Sequence, residues 1–185
     1  MTGPVRRGGR IVEPDGRVVA WSMAEGARGR RWRWSVVDRR GAFVAAHTVE
    51  LDPDGRVVRL ESAAAGSLLS LHREADGSVH GNRVVELGID HLTLPAPAPD
   101  AVVVGSGPIG AAIASATLTA GGVPIDVVEV GDDLGVRVVS ASVRRLANGT
   151  FELRTVTGIR RARLDDAGLP AADEGPSTSW PLERA

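Results

Sequence analysis

The sequence predicts a mainly β protein, a single domain over residues 1–185 folded as an antiparallel β-roll or barrel-like sheet with little helix. Two observations carry that prediction. Short β-favouring runs recur along the chain, separated by groups that reverse a backbone: Pro14-Asp15-Gly16, Pro53-Asp54-Gly55, Asp76-Gly77, Gly121-Gly122 and Asn148-Gly149. Several runs also alternate apolar with polar residues, which is the two-residue period of a strand with one covered face. Trp32 and Trp34 alternate with Arg31 and Arg33 in this way, and Phe151 and Leu153 with Glu152 and Arg154. Closure into a roll or barrel then removes the exposed edges of such a sheet.

Taken in order, the predicted strands are Arg17–Ser22, Arg31–Asp38, Phe43–Leu51, Arg56–Ser62, Ser67–His72 and Arg83–Leu94. The last of these changes phase near Gly88, which predicts a β-bulge. Pro95, Pro97 and Pro99 form a brief extended connection. Beyond the central segment come Val136–Leu146, Phe151–Val156 and Ile159–Leu164, and from about Asp165 the Ala-, Gly-, Pro- and Ser-rich chain reads as an irregular tail.

The segment Ala101–Glu129 supports a competing α/β reading, a Rossmann-like βαβ unit over 101–130. The apolar strand Ala101–Val104 runs into Gly105, Gly107 and Gly110, the G-x-G-x-x-G spacing, and Glu129 ends a second β-branched strand. Glycines let a backbone approach a pyrophosphate, a helix N-terminus favours anions, and an acid at that place meets a ribose hydroxyl. The segment resembles the FAD-binding fingerprint of glucose-methanol-choline oxidoreductases, which would make the chain an FAD- or NAD-binding fragment. Against this stand the hairpin-like residues before it and the lack of βαβ alternation after it. Residues Ile109–Thr119 also fit a strand period, so helix and strand both stay open there.

Composition narrows the chemistry. All 22 basic residues are Arg, and there is neither Tyr nor Cys. That excludes a Walker A lysine, a Schiff base, a Tyr-Lys hydride-transfer pair, disulfides and thiolate catalysis. A net charge of −1 gives no overall attraction to nucleic acid. The absence of a signal-like apolar region, or of any apolar run near 18 residues, leads us to expect a cytoplasmic protein without a membrane span.

Trp32 and Trp34 share a strand face and either stack on a sugar ring or acyl chain or fill the core. Arg33 lies in the most basic stretch, which reads as a solvated face able to meet an anionic head group. Asp90 and His91 are adjacent on a strand and so point to opposite faces, which excludes an acid–base dyad. His47, His72, His80 and His91 lack metal-ligand spacing, although His72 and His80 could face each other across the Asp76-Gly77 turn. No nucleophile, base and oxyanion donor assemble, so no catalytic residue, cofactor or metal is expected.

Several segments together resemble the bacterial glycolipid-binding family, whose spiral β-roll is likened to lipoprotein-carrier folds. They are Arg31–Asp38, Asp76–Gly81, Gly88-Ile89-Asp90-His91-Leu92, Pro99 with Pro108-Ile109, and Ala162–Leu169 followed by Trp180-Pro181. The sequence departs from that family where its second Asp is His91 and where its Arg-Arg pair is Gly110-Ala111. The resemblance implies non-catalytic binding of an amphiphile, a lipid- or glycolipid-like small molecule, with Trp32, Arg33, Trp34, Asp90 and His91 as ligand contacts. A ligand-free interaction domain is the remaining alternative.

Overall fold

The computed structural model describes residues 5–94, 96–105, 110, 124–147, 149–165 and 169–170. The protein is mainly β. Its strands are β1 (Val5–Val12), β2 (Val18–Gly26), β3 (Gly29–Val37), β4 (Phe43–Leu51), β5 (Val57–Ala64), β6 (Ser67–Arg73), β7 (Val79–Val85), β8 (Gly88–Leu94), β9 (Val102–Val104), β10 (Ile125–Val130), β11 (Val136–Arg145), β12 (Thr150–Thr155) and β13 (Gly158–Arg163). Among the described residues no helix is long and apolar enough to cross a membrane.

The described residues fall into two compact units that part between Ala98 and Pro99. In the first, β1 to β8 form one eight-stranded sheet in sequence order, every neighbouring pair antiparallel. In the second, five strands lie in the order β13-β12-β11-β10-β9, and β9 runs parallel to β10. Among the described residues that parallel pair is the exception to the antiparallel pattern, and it is the strand arrangement that the βαβ reading of 101–130 implies. A parallel neighbour needs a long crossover, and residues 105–124 supply it. The expected turn at Gly121-Gly122, and the choice of helix or strand at 108–120, lie outside the described residues apart from Gly110.

Ten hairpins among the described residues share two loop types. Six enclose three residues, starting at Glu13, Asp38, Asp52, Glu74, Gly131 and Leu146. In each, the amide of the fourth residue donates to the first carbonyl, and the first amide donates to the fifth carbonyl. This three-residue loop demands a left-handed residue at its fourth position. Gly16, Gly41, Gly55, Gly77 and Gly149 occupy it with φ between 78° and 85°. The other four hairpins turn on two residues, Ala27-Arg28, Ala65-Gly66, Glu86-Leu87 and Val156-Thr157. The run Arg83–Leu94 is therefore two strands joined at Glu86-Leu87, not one strand bulged at Gly88. A two-residue reversal explains the phase change, because it pairs Val84 with Ile89 on one face. A continuous strand would put residues five apart on opposite faces.

In the first unit one face is covered. Met23, Trp32, Val49, Leu60 and Leu71 are aligned partners across it, all buried. The next line holds Trp21, Trp34, His47, Ser62 and Leu69. The Trp21 and Trp32 rings lie 5.7 Å apart, Trp34 stacks on His47 at 4.7 Å, and His47 Nδ1 is 2.9 Å from Ser62 Oγ. In the second unit Val103, Val127, Val139, Val143 and Leu153 form the buried cluster, with Phe151 and Leu164 packed against it.

Leu134 is the non-glycine exception in the six loops, at φ 58°, and its side chain is fully buried. Left-handed backbone costs a leucine about 1–2 kcal/mol, whereas removing a buried leucine side chain costs about 2–5 kcal/mol. Burial therefore outweighs strain. Leu134→Gly should lower stability by about 2 kcal/mol in urea unfolding; an unchanged or higher midpoint would show that the strain dominates.

Candidate functional site

The second face of β4–β8 is open, and its side chains form three cross-strand rows set by register. The first row is apolar: Ala46, Ala63, Leu68, Val84 and Ile89. The second is polar: Thr48, Glu61, Ser70, Asn82 and His91. The third is Glu50, Arg59, His72, His80 and Thr93. Rows two residues apart along a strand stand about 7 Å apart, and four interstrand gaps make each row about 19 Å long. A groove of about 560 Å³ lies between the first two rows. Its lining includes His47, Ser62 and Leu69, whose side chains belong to the covered face, so their backbone forms the floor.

Hydrogen bonds hold the polar wall in place. His91 Nδ1 is 2.7 Å from Asn82 Oδ1, and Arg59 Nη2 donates to Glu61 Oε1 at 2.5 Å. On the third row His72 and His80 are direct partners with rings 6.5 Å apart, as their spacing about the Asp76-Gly77 turn suggested. Leu68 and Ile89 are 56% and 60% exposed, so the apolar wall faces solvent.

The residues singled out by sequence part company here. Trp32 and Trp34 are buried on the covered face, 0% and 6% exposed, and offer no open ring for stacking. Arg33 stands on the open face, paired with Thr48 at the end of the polar row. His91 ends the same row on β8. Asp90 is on the other face from His91, where Arg83 Nη2 donates to its Oδ2 at 2.7 Å. The groove is lined by His91 and by side chains that sequence reasoning passed over, Leu68, Ser70, Asn82, Val84 and Ile89, while Arg33 stands outside it beside Thr48. A signal was present in Ser67–His72, where Leu68 and Leu69 place apolar side chains on both phases of one strand.

The glycine segment resolves in part. Gly105 has φ 62°, and a Cβ on Gly110 would sit 2.2 Å from the Val104 carbonyl oxygen, so only glycine permits that approach. Gly107 lies outside the described residues, as do Pro108, Ile109, Trp180 and Pro181 of the family resemblance. Glu129 is committed elsewhere. Its side chain is 1% exposed. Arg137 Nε donates to Oε2 at 3.0 Å, while Thr157 Oγ1 and Arg160 Nη2 donate to Oε1 at 2.5 and 3.1 Å. Both oxygens are engaged within the sheet, so no free carboxylate faces a ribose.

Burial pushes the Glu129 carboxyl up, but hydrogen bonds from Thr157 and Arg160 and the charges of Arg160 and Arg137 outweigh it, leaving its pKa below the ordinary glutamate value. A lowered folded-state pKa contributes stability at neutral pH that is lost as pH falls through the folded value. Glu129→Gln leaves Arg160, only 14% exposed, without its counter-charge. We expect a loss of about 3 kcal/mol at pH 7 and a shallower dependence of melting temperature on pH below the ordinary glutamate range. An equal acid slope in both proteins would remove Glu129 as its source.

No family model and no curated protein matches this chain. Among solved structures, the chain is similar to a crystal structure of a DUF1089 family protein from Pseudomonas aeruginosa, with 14% identity and a TM-score of 0.49, covering 95% of this chain and 91% of that one.

Proposed function

We propose that the protein is a non-catalytic binder of an amphiphilic small molecule of lipid or glycolipid type, held in the groove across β4–β8. One observation carries the reading: the open face passes from an apolar row to a polar row, whose one carboxylate, Glu61, is paired with Arg59, and then to an ionic and histidine row within about 14 Å. An acyl chain laid along the first row would bury Leu68, Val84 and Ile89, and a hydroxyl-rich head group would meet Ser70, Asn82 and His91 on the second. Arg33 continues the polar row onto β3, where an anionic head would find counter-charge; Arg31, on the ionic row, is paired with Glu50. The apolar wall supplies affinity through burial, and the polar wall supplies orientation.

The reading departs from the sequence expectation at Trp32, Trp34 and Asp90. The contacts are not Trp32 and Trp34 but the aliphatic and polar residues of the opposite face. Native mass spectrometry of freshly purified protein, with the bound mass released by denaturation, gives the ligand class directly.

Ile89→Asp and Leu68→Asp place charges on the apolar wall at exposed positions. Each should weaken binding of a fluorescent long-chain glycolipid about tenfold or more while moving the melting temperature by only about 2 °C. Unchanged affinity in both would exclude the groove. Trp34→Ala removes a buried ring and should instead cost about 3–5 kcal/mol of stability, read as a lowered urea midpoint.

A further inference from the structure

We infer that the outer face of β11–β13 docks on an anionic lipid bilayer, with Arg144, Arg154, Arg161 and Arg163 on the headgroups and Val156 and Ile159 entering among them. The stretch from Val136 to Arg163 holds seven arginines and one acidic residue, Glu152. The two-residue period sorts these between faces. Arg137 and Arg160 reach Glu129 on the core face, and Arg145 lies over the Phe151 ring at 5.7 Å. The remaining four share the outer face with Glu152. Arg144, Glu152 and Arg161 are direct partners across three strands.

Glu152 is covered by arginines. Arg144 Nη2 and Arg161 Nη2 lie 3.0 Å from its oxygens and Arg154 Nη2 lies 3.4 Å away, leaving the carboxylate 4% exposed. Arg144, Arg154 and Arg161 themselves stay 63%, 59% and 64% exposed. Arg163 is exposed too and has no ion pair among the described residues. Within β11–β13 four guanidinium groups stand against one carboxylate, a surplus of three positive charges on these strands; Asp126, opposite Ser140 on the neighbouring β10, is a further acid on that sheet face. Each guanidinium carries five N–H donors, and the pairs with Glu152 use one or two of them. The rest are positioned by Glu152 and free to meet phosphate oxygens.

A second, independent observation favours a bilayer over other polyanions. Val156, at the β12–β13 hairpin tip, is 79% exposed, and Ile159, paired with Arg154 on the same face, is 48% exposed. Basic residues bordered by exposed aliphatics are the pattern of interfacial membrane binding. A single-stranded nucleic acid would want aromatic stacking platforms, and no outer-face residue of these strands is aromatic. The surface lies wholly within the second unit and is independent of the groove proposal.

The test is co-sedimentation of the full chain with phosphatidylglycerol-containing vesicles and with pure phosphatidylcholine vesicles, at about 0.1 M and about 0.5 M salt. Binding should require the anionic lipid and fall about tenfold or more at the higher salt. The double variant Arg163→Glu with Val156→Ser leaves the Glu152 cluster intact, so its thermal melt should match the parent while its vesicle binding drops about tenfold. Three results would overturn the assignment: equal binding to neutral vesicles, no binding at all, or an unaffected variant. Duplex DNA binding more tightly than the anionic vesicles would overturn it in favour of a nucleic-acid surface.

Discussion

Register is the constraint on which the rest of this protein depends. A strand presents alternate side chains to opposite faces, so slipping any one hairpin by a residue would exchange its covered and open sets. The loops prevent such slippage. Six three-residue connections, five of them closed by a left-handed glycine and one by Leu134, and four tight two-residue connections each fix the pairing of the strands they join. Asp38 and Asp52 strengthen their loops by accepting two backbone amides each on Oδ1. Five consecutive strands thereby hold Ala46, Ala63, Leu68, Val84 and Ile89 in one line, and the polar line beside them follows from the same pairings.

Arginine chemistry shapes the second unit in two ways. On the core face, Glu129 is buried and shared by Arg137, Arg160 and Thr157, which ties β10 to β11 and to the β12–β13 hairpin. On the outer face, Glu152 gathers Arg144, Arg154 and Arg161. The hydrogen bond from Arg161, opposed by burial and reinforced by Arg154 and the nearby charges, holds the Glu152 carboxyl below its ordinary range. One carboxylate serving several donors suits the planar fork of arginine better than the compact head of lysine. The absence of lysine from the chain is thus matched by how its charges are used.

How much of this was legible beforehand varies with the range of the interaction involved. Turn groups such as Pro14-Asp15-Gly16 and Asp76-Gly77 are local, and they mark real reversals because glycine at a left-handed position is a demand of a few residues. The phase change near Gly88 is local too, but ambiguous. A phase change looks alike whether one residue is inserted or the chain turns back, and only the pairing of Val84 with Ile89 separates the two. Strand β1 escaped notice because its Arg- and Gly-rich residues carry a weak apolar period.

The sequence by itself determined the β class, most strand positions, the face alternation that separates Asp90 from His91, and the chemistry excluded by the missing Lys, Tyr and Cys. These follow from backbone period and residue type. Tertiary structure alone decided which face is covered, and so turned Trp32 and Trp34 into core while leaving Leu68, Val84 and Ile89 open. It also decided that Glu129 serves Arg137 and Arg160 and, between the antiparallel and βαβ readings of 101–130, that β9 and β10 run parallel. These are pairings between residues far apart in sequence, and period and propensity carry no information about the partner across the sheet.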